Sequence, residues 1–187
     1  MNLGTLAWLP ALDNLELVAH STADALTRWA QVEPQVTDEV VVAPIDPQDA
    51  DTAALTAAYA LPPSASVNCV LVAGRREGTE KIAAALVRAT TRADVNSTVK
   101  RLLDVRKCSF LPMERATEES GMEYGGITPI GLPDGYRLLL DGRVPLDDPD
   151  AGGMVVIGSG VRHSKLALPG ALLATMPGVE VVEGLAL

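Results

Sequence analysis

Aromatic side chains are nearly missing from this chain: they make up 3% of 187 residues, with a single phenylalanine. A core can still form, because 48% of residues are hydrophobic and the mean hydropathy is +0.20, but it must be built from Ala, Val and Leu. Histidine and cysteine are equally scarce, two of each. Cys69 and Cys108 fit no CxxC spacing, so the expectation is no metal and no cofactor. No run of eighteen apolar residues occurs, which excludes an obvious membrane-spanning helix. The N-terminal "MNLGTLAWLPALDNLELV" lacks the basic region and continuous apolar stretch of a secretory leader, so a cytoplasmic protein with no membrane partner is expected. Also lacking are a P-loop, a GxGxxG turn, a GxSxG elbow and an HExxH helix.

Charge is plentiful and unevenly placed. The net charge is −9. Residues 1–60 hold nine acids against Arg28 alone, whereas residues 75–107 hold nine bases against four acids. The middle of the chain is therefore able to present a basic face on an acidic protein, which permits an anionic partner without requiring one.

Patterning predicts α+β architecture in 187 residues, enough for one domain with a terminal extension. Helices are expected over 22–32, where Ala25, Leu26, Trp29 and Ala30 recur at helical spacing, and over 46–62, 94–105 and 112–121. In the last of these Pro112 suits the first turn and Gly121 the stop. Strands are expected at "DEVVVAPID", at "SVNCVLV" before a Gly-Arg-Arg turn, and at "KIAAALVR", although that Ala-rich run reads equally as helix. Further strands are "YRLLLD", the two runs flanking a Gly-Ser-Gly break in "MVVIGSGVRHSKLAL", and "VEVV" after a short helix at "PGALLATMP". "DPDAGG" (148–153) reads as a flexible linker. With no repeating βαβ rhythm, one mixed sheet is the simplest expectation.

Chemistry has few places to sit. "MEYGGITPIGLP" (122–133) gathers Gly125, Gly126 and Gly131 with Pro129 and Pro133 around Thr128. Glycine lets another group approach the main chain, and Thr128 before Pro129 is pushed toward extended backbone. The stretch reads as a shaped loop, either a plain turn or a binding loop. Asn68 is out of character in an apolar strand, because Asn is disfavoured there. Ser66 shares that strand, and Ser159, Arg162, His163, Ser164 and Lys165 follow the Gly-Ser-Gly break. His163 reads as a surface residue and Cys69 as a buried small thiol. Cys108 lies beside Lys107, which would lower a thiol pKa.

The blocks "RKCSFLPMERATEESGMEYGGITPIGLPDGYRLLLD" and "GSGVRHSKLALPGALL" resemble the YbaK-type aminoacyl-tRNA deacylases, which include free-standing editing proteins and the editing domain of bacterial prolyl-tRNA synthetases. The likeness spans about residues 50–187. Its strongest element is "TEESGMEYGGITPIGLP", where the GxxxP signature falls on Gly125 and Pro129. Residues 1–49 have no counterpart and read as an N-terminal extension packed on the domain. The resemblance implies a mixed sheet forming a partial barrel flanked by helices, with the glycine loop lining a pocket. It also implies a partner, the 3′ end of misacylated tRNA, and an ester hydrolysis that removes the wrong amino acid. On that reading Asn68, Gly125, Gly126 and Thr128 are the catalytic candidates, and Pro129, Gly131, Ser159, Gly160, Arg162 and His163 contact the substrate. The family strand usually carries a lysine, in a pattern like VKTLV, where this chain has Asn68. The alternative is therefore a catalytically inactive relative that binds tRNA or an aminoacyl group.

Overall fold

The computed structural model describes residues 3–146, 148 and 150–187. In chain order the elements are β1 (Leu9–Pro10), α1 (His20–Val32), α2 (Gln35–Glu39), β2 (Val41–Pro44), α3 (Thr52–Tyr59), β3 (Val67–Arg76), β4 (Thr79–Arg88), α4 (Lys100–Leu103), β5 (Cys108–Phe110), α5 (Met113–Ser120), β6 (Arg137–Asp141), β7 (Met154–Gly158), β8 (Ser164–Pro169), α6 (Gly170–Leu173) and β9 (Val179–Val182). Pro149, inside the expected 148–153 linker, lies outside the described residues.

The strands form two sheets, which corrects the expectation of one. A four-stranded antiparallel sheet runs β1-β2-β8-β7, and a five-stranded sheet runs β5-β3-β4-β6-β9. The second sheet is mixed, because β6 pairs parallel with β4 and with β9. Where the sheets meet, Ser66 forms a single parallel bridge to Val156, and Val156 N–H donates to Ala65 O at 2.8 Å. No continuous ladder joins the sheets into a closed barrel among the described residues. The implied partial barrel thus resolves into two sheets touching along β3 and β7.

The β3–β4 hairpin shows why the Ala-rich run becomes a strand. Ala83, Ala85 and Val87 face a cluster with Val95, Val99 and Leu103, while Ala84 and Leu86 face the main core with Leu140 and Leu166. Burial on both faces overrides the helical preference of alanine. Its turn is Glu77–Gly78, both at positive φ (52° and 83°), a two-residue connection suited to strand twist. Gly74–Arg76, expected as the turn, continue the strand instead, with Arg76 opposite Thr79.

Elsewhere local signals hold with small shifts. Gly121 ends α5 at φ 67°. The expected 46–62 helix is broken into a 3-10 turn at Pro47–Asp49 and α3. The 94–105 helix begins as a π-helical turn at Val95–Val99 capped by the Asp94 carboxylate. The segment before residue 50 supplies β1, β2, α1 and α2, and places Leu26, Trp29 and Val36 in the main core. No helix among the described residues is long and apolar enough to cross a membrane.

Candidate active site

A cavity of about 300 Å³ opens where the two sheets meet. Its wall takes Ser66, Asn68 and Cys69 from the start of β3, and Gly158 and Lys165 from β7 and β8. The first turn of α3 adds Asp51 and Thr52, and the glycine loop adds Tyr124, Gly125 and Ile127.

Lys165 is its central feature. It is 6% exposed, pairs across the sheet with Gly158 on one side and Ala43 on the other, and donates from Nζ to Gly125 O at 2.9 Å. No carboxylate forms an ion pair with it among the described residues. Burial disfavours the charged form and pulls its pKa down to about 8, helped by the Arg162 guanidinium and opposed by the Asp51 carboxylate.

Asn68 faces the same space. Its Oδ1 accepts from Thr52 Oγ1 at 3.0 Å, which orients the amide and leaves the Nδ2 donor without a partner among the described residues. The Ser66 hydroxyl is buried and likewise unpartnered. A buried hydroxyl such as that of Ser66 costs free energy while it is left without a partner. Cys69 lines the cavity, but burial pushes its thiol up to about 12, so it stays a thiol at neutral pH. Cys108 is also raised by burial, which overturns the expected lowering by Lys107.

Of the ten site residues expected from sequence, Asn68 and Gly125 line this cavity and the other eight do not. Gly126 packs main chain on main chain: its N–H donates to Glu123 O, its O accepts from Gly160 N–H at 2.7 Å, and a Cβ there would meet Val161 O at 2.4 Å. Thr128 is fully buried, with its amide directed at Met122 Sδ. Ser159 Oγ bonds Ser164 O at 2.9 Å, and Gly160, at φ 86°, packs on Ala19. Arg162 fastens the glycine loop, donating to Tyr124 O at 2.9 Å and to Pro47 O at 3.0 Å. His163 is exposed, as expected. Pro129 and Gly131 line a different cavity, beside Trp29.

Residues 46–175 match the family of the aminoacyl-tRNA editing domain. The chain belongs to that family. Its fold is shared with the crystal structure of hypothetical protein APE2540, at 19% identity and a TM-score of 0.70, covering 87% of this chain and 99% of that one. A candidate trans-editing enzyme for prolyl-tRNA synthetase has the same fold at 16% identity and a TM-score of 0.68, covering 89% and 97%. No protein of curated function matches. Within the editing-domain frame, Asp51 and Thr52 are polar wall groups that the sequence reading missed, whereas Ser66 and Lys165 stood among its polar groups without being assigned to the site. Acids at a helix start read as dipole partners, and nothing local shows which way Lys165 points.

Proposed function

We propose that the protein hydrolyses the ester joining a mismatched small amino acid to the 3′-terminal ribose of tRNA, acting in trans. The observation that carries this reading is Lys165, a buried cation that no carboxylate among the described residues pairs with, in a cavity where the family's glycine loop converges. Lys165 stands on β8 rather than β3 and, in this reading, supplies to the same cavity the charge that the family lysine would bring at Asn68.

In this mechanism the aminoacyl group enters the cavity with its ester carbonyl toward Lys165 Nζ and Asn68 Nδ2. Water attacks the carbonyl carbon, and the resulting oxyanion is stabilised by these two donors, preorganised by Gly125 O and Thr52 Oγ1. Collapse breaks the bond to the ribose oxygen, which takes up the proton lost by the water. Free amino acid and tRNA leave. Asp51, at the cavity mouth of α3, receives the α-ammonium of the amino acid. A volume of about 300 Å³ admits small side chains and turns away large ones, the size filter of an editing sieve.

The test is deacylation of tRNAs mischarged with Ala, Ser, Cys or Thr by the wild type, Lys165→Met and Asn68→Lys. Turnover by the wild type that disappears in Lys165→Met supports the reading. Asn68 favours a second reading, a binding protein that has lost turnover. That reading stands if the wild type binds mischarged tRNA intact and Asn68→Lys gains activity.

A further inference from the structure

The cavity does not end at Asn68. Asn68 and Val70 also line a second, larger depression of about 700 Å³ on the outer side of β3, so the two spaces share one wall. Phe110 lies in this groove, 67% exposed, although it is the chain's single phenylalanine and the core has so few aromatic rings to draw on. It ends β5, an edge strand held by three antiparallel register pairs to β3 at Val72–Gly74. Arg92 stands on the groove wall, fixed by reciprocal main-chain bonds with Leu187 (3.2 and 2.8 Å). Arg106 and Lys107 are exposed just before β5.

Arg75 is tied to Glu80, and Arg76 and Lys81 to Asp104, whereas Arg92, Arg106 and Lys107, like Lys100 and Arg101 on α4, enter no ion pair among the described residues. Asp94, the acid that lines the groove, has both carboxylate oxygens engaged by Ser97 N–H and by the Thr98 amide and hydroxyl. An exposed ring in a groove with unpaired Arg92 on its wall, unpaired Arg106 and Lys107 in the segment leading into its strand, and Asn68 and Val70 shared with a cavity sized for an aminoacyl ester matches the needs of a single-stranded nucleotide tail. A base stacks on the ring and phosphates meet the cations.

Resting on the function proposed above, we infer that this groove receives the unpaired 3′-terminal nucleotides of the tRNA. A base stacks on Phe110, and the backbone phosphates run past Arg92 toward Arg106 and Lys107. The aminoacyl ester then reaches the cavity across Asn68 and Val70. The rim near Phe110 is thus the nucleotide subsite, separate from the groups that act on the ester.

The experiment measures binding of a 5′-labelled, non-acylated RNA hairpin with a single-stranded 3′ ACCA tail, beside the same hairpin cut blunt. The expected result is tighter binding of the tailed RNA, weakened about 10-fold by Phe110→Ala, within the range of one base–aromatic stack, and restored by Phe110→Trp. Arg92→Ala should weaken the tailed RNA less and flatten its salt dependence. Because Phe110 is exposed, a thermal melt should show each variant folded. Equal binding of tailed and blunt RNA, or no loss in Phe110→Ala, overturns the subsite. Deacylation is read separately on the same proteins. Turnover with KM unchanged by Phe110→Ala removes the groove and leaves the hydrolase. Tail-dependent binding through Phe110 without turnover keeps the groove and removes the hydrolase.

Discussion

Residues 124–127 and 129–133 are two halves of one glycine-proline loop, yet they wall different cavities. The first half closes the 300 Å³ space around Lys165. The second half closes a 520 Å³ space lined by Trp29, Ile130, Leu132, Leu138 and Met176, with Arg28 exposed at its edge. The larger cavity is mainly apolar, and its buried polar group without a partner is Trp29 Nε1. The smaller one gathers an ammonium, an amide, a hydroxyl and a carboxylate. Convergent polar groups, not volume, mark the place suited to chemistry.

The sharpest way to break this contrast is Lys165→Met. Deacylation should fall at least about 100-fold, the scale of losing one preorganised oxyanion donor, while the protein becomes more stable. Its depressed pKa means that the folded state resists the charge: the penalty is fully present below about pH 8 and fades as pH rises toward the unfolded value near 10.4. At pH 7 that penalty is about 3 kcal/mol, so a net gain of about 1–3 kcal/mol in a denaturant melt is expected. Loss of both activity and stability would instead make Lys165 a structural residue.

Next in size is Gly158→Ala. A Cβ there would meet Gly126 O at 2.2 Å and Ile127 O at 2.4 Å, both immobile backbone atoms. Overpacking should cost about 1–3 kcal/mol and displace the glycine loop whose Gly125 O accepts from Lys165 Nζ. Third, kcat/KM for the wild type should fall above pH 8 as the Lys165 ammonium loses its proton, and Lys165→Arg should carry that limb to higher pH. A profile that rises through pH 8 would assign Lys165 the role of a base. Asp51→Asn should raise KM about 10-fold or less with a smaller change in kcat, because an exposed carboxylate is well screened. The smallest effect is expected in the second cavity, where Arg28→Ala should leave deacylation within about 2-fold, inside the usual range for surface changes.

What the chain reveals before folding follows the same divide between local and non-local physics. α1, β2, the Gly121 stop and the strands on either side of the Gly-Ser-Gly break are written in spacing and turn residues, and those elements form. The family signature in the glycine loop is equally local. Lys165 is harder to read because β8 lies between β2 and β7 with Ser164 through Leu168 all buried, so no alternation shows which face meets the cavity. Asp51 hides for a related reason: an acid at a helix start is common, and only the approach of Gly125 and β3 makes it part of a site. Gly126 and Gly158 look like flexible punctuation, whereas their partners across the fold show tight packing between two loops.

The strand β2 has a consequence for how this module can be cut and moved. Ala43 is the register partner of Lys165, and it lies upstream of residue 46, where the family match begins. A fragment starting at that boundary would strip β8 of one whole flank of hydrogen bonds and leave an open edge beside Lys165. Such an edge recruits strands from other molecules. The smallest transplantable unit therefore starts before Val41, and a fusion built on the family boundary alone should self-associate.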